Sequence, residues 1–398
     1  MCKKLMILGA GILQLPAIEK AKEMGLSVVA VDMNPEAVGV GVPGIETEVI
    51  STIDIPAVLE AAKKHKIDGV MTLASDMPMR TVAAVAKELG LVGVSEDTAL
   101  KATDKAVMRR CLQENNVPVP RFYRVSDTET YTKAVKEFTA PFVVKPADNS
   151  GSRGVVLVED IHNAETVEKA YAYSRQHSRN GIVVVEEYMR GPEVSVETLS
   201  INGQCHVIQI TDKLTTGAPH FVEMGHSQPT RHDPETAEKI RQAVIAANKA
   251  VGIQNGPSHT EVIVTAEGPK IVEIGARLGG DCITTHLVPL STGVNMVENC
   301  IRIALGETPD LTPKFQKGSA IRYFSQKPGV VTGISGVEQA RKIEGICQIS
   351  IVHGVGEQVG EIDSSAARMG FVIAQSDTEN GAVTLCQEAI KTINITIE

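Results

Sequence analysis

Phe142 to Val158 reads FVVKPADNSGSRGVVLV: two β-branched apolar runs on either side of a Gly/Ser-rich loop, with Lys145 near the end of the first run. Apolar runs bounded by turn residues predict strands, so this stretch predicts a hairpin with Asn149 to Gly154 at its tip. Few other arrangements suit it. With so little side-chain bulk, backbone N–H groups from Ser150 through Gly151 and Ser152 to Gly154 can approach an anion, and Lys145 and Arg153 add positive charge. The loop lacks the G-x-x-x-x-G-K-[ST] spacing, so it is not a P-loop. Taken alone, a Gly-rich loop between strands is more often just a turn, and the phosphate reading depends on the other segments.

The chain opens with a short apolar strand, Lys4 to Leu8, then Gly9-Ala10-Gly11, a helical period over Ile12 to Met24, and a second strand, Ser27 to Asp32. This is a Rossmann-type βαβ start. Its glycine fingerprint is incomplete, because Gln14 stands where a third Gly or Ala would let helix and strand pack closely. A structural role is therefore favoured over a dinucleotide site. Strand Gly69 to Asp76 and helix Met79 to Gly90 continue the alternation. Gly9 to Leu13, Asp32, Ser75 and Asp76 fall beyond strand carboxyl ends, where open α/β sheets bind ligands. Asp76 reads either as part of a substrate pocket or as a helix cap.

Further along, Thr103-Asp104-Lys105 precedes a helical stretch, Ala106 to Glu114. A lysine at a helix start opposes the macrodipole and suits a nearby anion; the alternative is Asp104 as cap with Lys105 in solvent. Ala164 to Arg179 is helical. GIVVVEE, Gly181 to Glu187, is a strand running into Tyr188-Met189-Arg190-Gly191-Pro192-Glu193 and a second strand, Val194 to Ile201. That junction suits a simple hairpin or a linker contacting an adenosine. Glu261 and Glu273 lie inside apolar runs joined by the turn Ala266 to Pro269, so the two strands predict a hairpin. An unpaired charge there is costly. Two carboxylates on neighbouring strands are oxygen ligands of the kind Mg²⁺ takes, with phosphates and waters completing its shell. Facing solvent, or pairing with Arg277, are the alternatives.

In this order the motifs resemble the ATP-grasp superfamily of carboxylate–amine ligases: D-K at 104 to 105, VVKP with its glycine-rich loop, VVEEY with G-P-E, and two strand glutamates followed by Arg and Gly-Gly. The resemblance covers essentially the whole chain. It implies an α/β and α+β protein with four parts: a Rossmann-like domain over 1–95, a small subdomain over 96–190, a large subdomain with the metal site over 191–316, and a β-rich lid over 317–398. It further implies that Lys105 and Lys145 hold ATP phosphates and that Ser150, Gly151, Ser152 and Gly154 close over them. Glu186, Tyr188 and Met189 would form the adenine hinge, Glu193 would hold the ribose, and Glu261 and Glu273 would bind Mg²⁺, or Mn²⁺ in its place. Arg277 would stabilise an acyl phosphate or the substrate carboxylate. Gly275 departs from the family's E-x-N pattern, which puts a second metal in doubt.

Thr211 to Pro229 resembles the L-amino acid ligase branch, in which an acid and a histidine three residues apart border the acyl phosphate. His226 would then meet that group and Glu223 an α-ammonium. A mobile loop with a chance histidine is the competing reading. Asp281, four residues after Arg277, suits a second ammonium contact. His259 borders the metal strand, and Cys282 has no His/Asp partner in sequence, which argues against a nucleophile. The resemblance thus implies ATP-dependent formation of a peptide-type bond between an amino-acid-like carboxylate and an amine, with a homodimer as the family-based expectation.

Composition narrows the alternatives. The net charge is −9 and no Lys/Arg cluster occurs, which argues against a nucleic-acid surface. Seven cysteines without C-x-x-C spacing argue against a zinc site or a disulfide framework and imply a reducing cytosol. No apolar run approaches a membrane span. Bicarbonate-using enzymes, purine-pathway ligases and a non-catalytic nucleotide-binding module remain as rivals.

Overall fold

The computed structural model describes residues 2–218 and 220–398. The apolar runs Lys4–Leu8, Ser27–Val31 and Gly69–Met71 form, with Glu46–Glu48, a four-stranded parallel sheet in which Lys4–Leu8 and Ser27–Val31 are central. The first helix begins at Leu15 rather than Ile12. Gln14 explains the shift: its side-chain amide donates to the Leu73 carbonyl (2.5 Å) and to Ser75 Oγ (3.2 Å), tying the glycine turn to the end of the fourth strand. That strand stops at Met71, short of the apolar run that suggested Asp76. Thr72 Oγ1 caps the neighbouring strand through the Leu8 carbonyl, and Ala74 then turns the chain with a φ of 59°.

The hairpin at 142–158 is present as Phe142–Pro146 and Val156–Val158, paired antiparallel with Val144 opposite Val156. With Val183–Glu187 and Phe122–Val125 it makes a second sheet of four strands. An aromatic core of Tyr131, Phe138, Phe142 and Tyr171 holds helix Ala164–Gln176 against it.

The third sheet has eight strands, running from Gly268–Gly275 and Gly256–Thr265 through Glu193–Ile201, Gln204–Thr215 and Glu223–Gln228 to three strands of the tail. The sequence suggests a boundary at 316/317, yet the sheet crosses it, because Gly318–Tyr323 hydrogen-bonds directly to Glu223–Gln228. The C-terminal part is therefore welded to the strand that carries His226. Helix Glu379–Thr392 covers this end of the sheet. Among the described residues, no helix is long and apolar enough to cross a membrane.

Candidate active site

The three sheets meet around one cavity with two lobes, about 200 Å³ and about 580 Å³. Lys105, Lys213, Glu261, Glu273 and Arg277 line both lobes, so the charged residues form the waist between them. Glu261 and Glu273 are directly opposed in the antiparallel register, where alternation along each strand sends both side chains to the same face. Neither carboxylate is left bare. Lys105 Nζ donates to Glu273 Oε1 at 3.0 Å and to the Asn149 carbonyl at 2.7 Å. Lys213 Nζ donates to Glu261 Oε1 at 3.0 Å and to Glu193 Oε1 at 2.6 Å. These contacts overturn two simple alternatives: Lys105 is buried rather than in solvent, and the glutamates pair with lysines rather than with Arg277. The cap at Asp104 is nevertheless real, accepting from the Ala106 and Val107 amides.

Electrostatics follow from this crowding. Burial alone would raise the Glu261 carboxyl, but Lys213 and His259 outweigh it and hold it well below the usual carboxylate range. Burial opposes charge on Lys213 too, yet Glu193, Glu261 and Glu223 lift its ammonium well above the ordinary lysine range. His259 Nδ1 lies 2.5 Å from Glu197 Oε1, deep in the sheet; against the effect of burial, Glu197 raises the imidazole to about 9. The neighbouring Gly279 is demanded by this pair, since a Cβ there would stand 2.6 Å from His259 Nδ1 and 2.9 Å from Glu197 Oε1.

Gly275, the departure from E-x-N, has an equally specific cause. Arg277 donates to both oxygens of Asp76, at 2.7 and 3.2 Å, and a Cβ on residue 275 would lie 2.9 Å from Asp76 Oδ1. The space of a second metal-ligating side chain is thus taken by an ion pair that docks the N-terminal domain. Asp76 is accordingly no helix cap; the helix after it has no side-chain cap.

In the smaller lobe, Glu186 turns its carboxylate into a buried cluster with Lys145 and Arg109. Arg109, fully buried, also donates to the Val272 carbonyl at 2.6 Å, so it joins the small and large subdomains. Burial would raise Glu186, but Arg109 and Lys145 keep it below its ordinary value; burial lowers the Lys145 ammonium. Tyr188, Met189 and Glu193 line this lobe beside Ser150, Gly151 and Ser152. Gly154 does not line it: at a φ of 82° it packs against His177, where a Cβ would come within 2.6 Å.

The larger lobe holds His226, Asp281, Glu223 and Asp76. Asp281 is not a free ammonium acceptor. Arg368, from the tail, grips both its oxygens at 2.7 Å while lying 3.7 Å above the Tyr323 ring, and His226 Nε2 is 3.3 Å away. Burial works against the Asp281 charge, but Arg368 and His226 prevail and hold the carboxyl well below its usual range. Cys282 is pushed up to about 12 by burial and by Asp281, consistent with an unreactive thiol. Arg322 donates to the His226 carbonyl from behind the strand, outside the cavity lining.

Sequence reasoning missed Arg109, Glu197 and the role of Lys213. Two signals were available: charged residues inside apolar β runs, as Glu197 in EVSVETLSI, and glycines at 275 and 279 where nothing local calls for them. Two carboxylates facing a cavity, each already holding an ammonium, are hard oxygen donors suited to Mg²⁺, with room for phosphate oxygens. Among the described residues no group of three or more His, Cys, Asp or Glu is placed to close around a metal.

Residues 138–285 match the family described as ATP-grasp domain, and residues 322–398 match L-amino acid ligase C-terminal domain 2. The chain is 26% identical over 343 residues to an L-arginine-specific L-amino acid ligase of Bacillus subtilis, covering 83% of this chain and 81% of that protein. It is 28% identical over 322 residues to a phosphoribosylamine–glycine ligase of Methanothermobacter thermautotrophicus, covering 75% and 72%. In fold it is similar to the crystal structure of an L-amino acid ligase from Bacillus licheniformis, with a TM-score of 0.86, 24% identity and coverage of 100% and 99%.

Proposed function

Because this chain belongs to the ATP-grasp superfamily and is an ATP-dependent carboxylate–amine ligase, we propose that it joins an amino-acid carboxylate to the amine of a second amino acid. The observation that carries this reading is the opposed Glu261–Glu273 pair at the waist, with a smaller lobe lined by the glycine-rich loop, Tyr188 and Met189 on one side and a larger, mixed lobe on the other. ATP would occupy the smaller lobe, with Tyr188 and Met189 at the adenine, Glu193 at the ribose, and Lys105, Lys145 and the Ser150–Gly154 loop at the phosphates. Glu261 and Glu273 would hold one Mg²⁺, which supplies charge neutralisation between phosphates and the attacking carboxylate.

A carboxylate condenses poorly with an amine because oxide is a poor leaving group. The γ-phosphoryl is therefore moved first, the substrate carboxylate oxygen forming the O–P bond as the bond to ADP breaks. Arg277 and Lys145 steady the charge that passes between two anions. The amine nitrogen then forms the C–N bond, phosphate departs with the C–O electron pair, and the amine proton is released. Loop closure excludes water, which would otherwise hydrolyse the acyl phosphate. Arg277 and His226 border the acyl group, and Glu223 receives an α-ammonium. Asp281, saturated by Arg368, shapes that wall rather than binding the ammonium itself.

The phosphoribosylamine–glycine relative supports a second reading, in which a sugar phosphate enters the N-terminal domain. Against it, the Ala10 amide in the glycine turn is already taken by Asp32 Oδ2 at 2.8 Å, which sets a fixed negative charge where a phosphate would be bound. We further propose a cytosolic homodimer, which sedimentation at micromolar concentration would test. The central experiment is phosphate release from Mg·ATP over pairwise mixtures of the twenty amino acids, with bicarbonate, and phosphoribosylamine plus glycine, as further arms and Glu273→Ala as control. Release with particular amino-acid pairs, lost in the variant, is expected. Release only with phosphoribosylamine or only with bicarbonate overturns the reading.

A further inference from the structure

Ligands of open α/β sheets bind beyond the carboxyl ends of the strands, and on this chain that rim carries an unusual set of side chains. Ile12 and Leu13 follow the first strand, Met33 the second, and Val49 and Ile53 the third; they are 69%, 45%, 70%, 60% and 49% exposed. Large apolar residues gathered on one exposed rim mark a binding surface more often than an accident of composition. Three of them, Leu13, Met33 and Ile53, line the larger lobe of the cavity, on the side away from the nucleotide. The rest of the N-terminal contribution is neutral apart from Asp76, which Arg277 already holds: Ser51, Thr52, Ala74, Met77 and Pro78 are among the lining residues, with no lysine, arginine or histidine from that domain. An anionic head group would find only hydroxyls there, since the arginines and lysines of this lobe all come from the other domains. An apolar one would find several.

We infer that this rim is the subsite for the amine partner and that it takes a large apolar side chain, of the leucine, methionine or phenylalanine kind. The inference rests on the ligase reading, in which the amine must reach the acyl group beside Arg277 and His226 from the larger lobe. With the nitrogen at the waist, the side chain extends outward along Met77 and Pro78 to Leu13, Met33 and Ile53. Burial against these side chains releases water from both surfaces, and a pocket of this kind discriminates by size and polarity rather than by hydrogen bonding. The exposure of Leu13, Met33 and Ile53 is thereby accounted for.

The test uses the full chain and Met33→Asp and Ile53→Asp variants, whose substituted positions are exposed and so leave the core untouched. With the acyl partner found in the pairwise screen, kcat/KM is measured for leucine, phenylalanine, serine, aspartate and lysine as amines. Leucine and phenylalanine are expected to lead, and the leucine-to-serine ratio to fall on the order of tenfold or more in each variant. A ratio that is flat in the wild type, or unmoved in the variants, overturns the inference while leaving the ligase reading intact. If no amino-acid pair turns over, that reading fails separately, and calorimetry of leucine binding to the Mg·ADP-loaded enzyme decides the subsite. Binding lost in Met33→Asp supports it, and absence of binding overturns it. A dimer that Met33→Asp dissociates would show the rim buried between two copies, and would also overturn it.

Discussion

The two ends of the cavity are built by opposite means. At the waist and in the smaller lobe, Lys105, Lys145, Lys213, Arg109 and Arg277 each have a carboxylate partner, and much of this network is buried. At the N-terminal rim the lining is apolar or hydroxylic, and the large side chains stand in solvent. The difference fits what the proposed reaction would ask of each end. Charge developing on transferred phosphate needs fixed counter-charges in a dry setting. Ion pairs inside a protein are costly to bury, so each must be braced by further contacts. A neutral side chain entering from solvent needs only a surface that sheds water.

Four experiments would break or sharpen that contrast. The largest effect is expected at the waist: Glu273→Gln should lower ATP turnover on the order of a hundredfold or more, as loss of a transition-state charge contact does elsewhere. Phosphate release together with Mg·ADP calorimetry checks it, and near-normal turnover would remove Glu273 from the metal site. Next, Arg109→Met should destabilise the fold by roughly 3–5 kcal/mol, because it strips one cation from the buried Glu186 cluster. Urea denaturation measures this. A loss below about 1 kcal/mol would mean that water or Lys145 already satisfies Glu186. A smaller, more selective effect is expected from Glu197→Gln, which loosens His259 beside Glu261. Affinity for Mn²⁺ with ADP, followed by paramagnetic resonance, should fall about 10–100-fold, whereas unchanged affinity would make the pair purely structural.

The smallest effect concerns pH. Because Arg368 and His226 depress the Asp281 carboxyl below its unfolded value, the ionised form stabilises the protein above the ordinary carboxylate range, and that contribution fades as pH falls toward the folded value. The melting temperature of the wild type should therefore decline from about pH 4 downward. Asp281→Asn should start lower at neutral pH and decline less steeply. Parallel curves for the two proteins would show that the tail's grip on Asp281 contributes nothing through charge.

What could be read in advance was local. The hairpin around Lys145 follows from two apolar runs and a polar insert, the cap at Asp104 from its place before a helical period, and the opposition of Glu261 to Glu273 from period-two alternation through one short turn. Helix and strand ends were less legible. Gln14 delays a helix and Thr72 ends a strand by bonds to residues 59 and 64 positions away.

By itself the sequence determined that the chain alternates α and β elements, that a glycine-rich loop follows a lysine at the end of a strand, and that two acids share a hairpin face. Those features depend on neighbours a few residues apart, whose geometry the backbone period sets. Only the tertiary structure decided which charge meets which: Arg277 with Asp76 across 201 residues, Arg368 with Asp281 across 87, Arg109 with Glu186 across 77. Each pairing depends on sheet register and on how domains dock, and a shift of one residue would turn the side chain to the opposite face. The apolar rim belongs with them, since Leu13, Met33 and Ile53 become one surface only when three parallel strands end side by side.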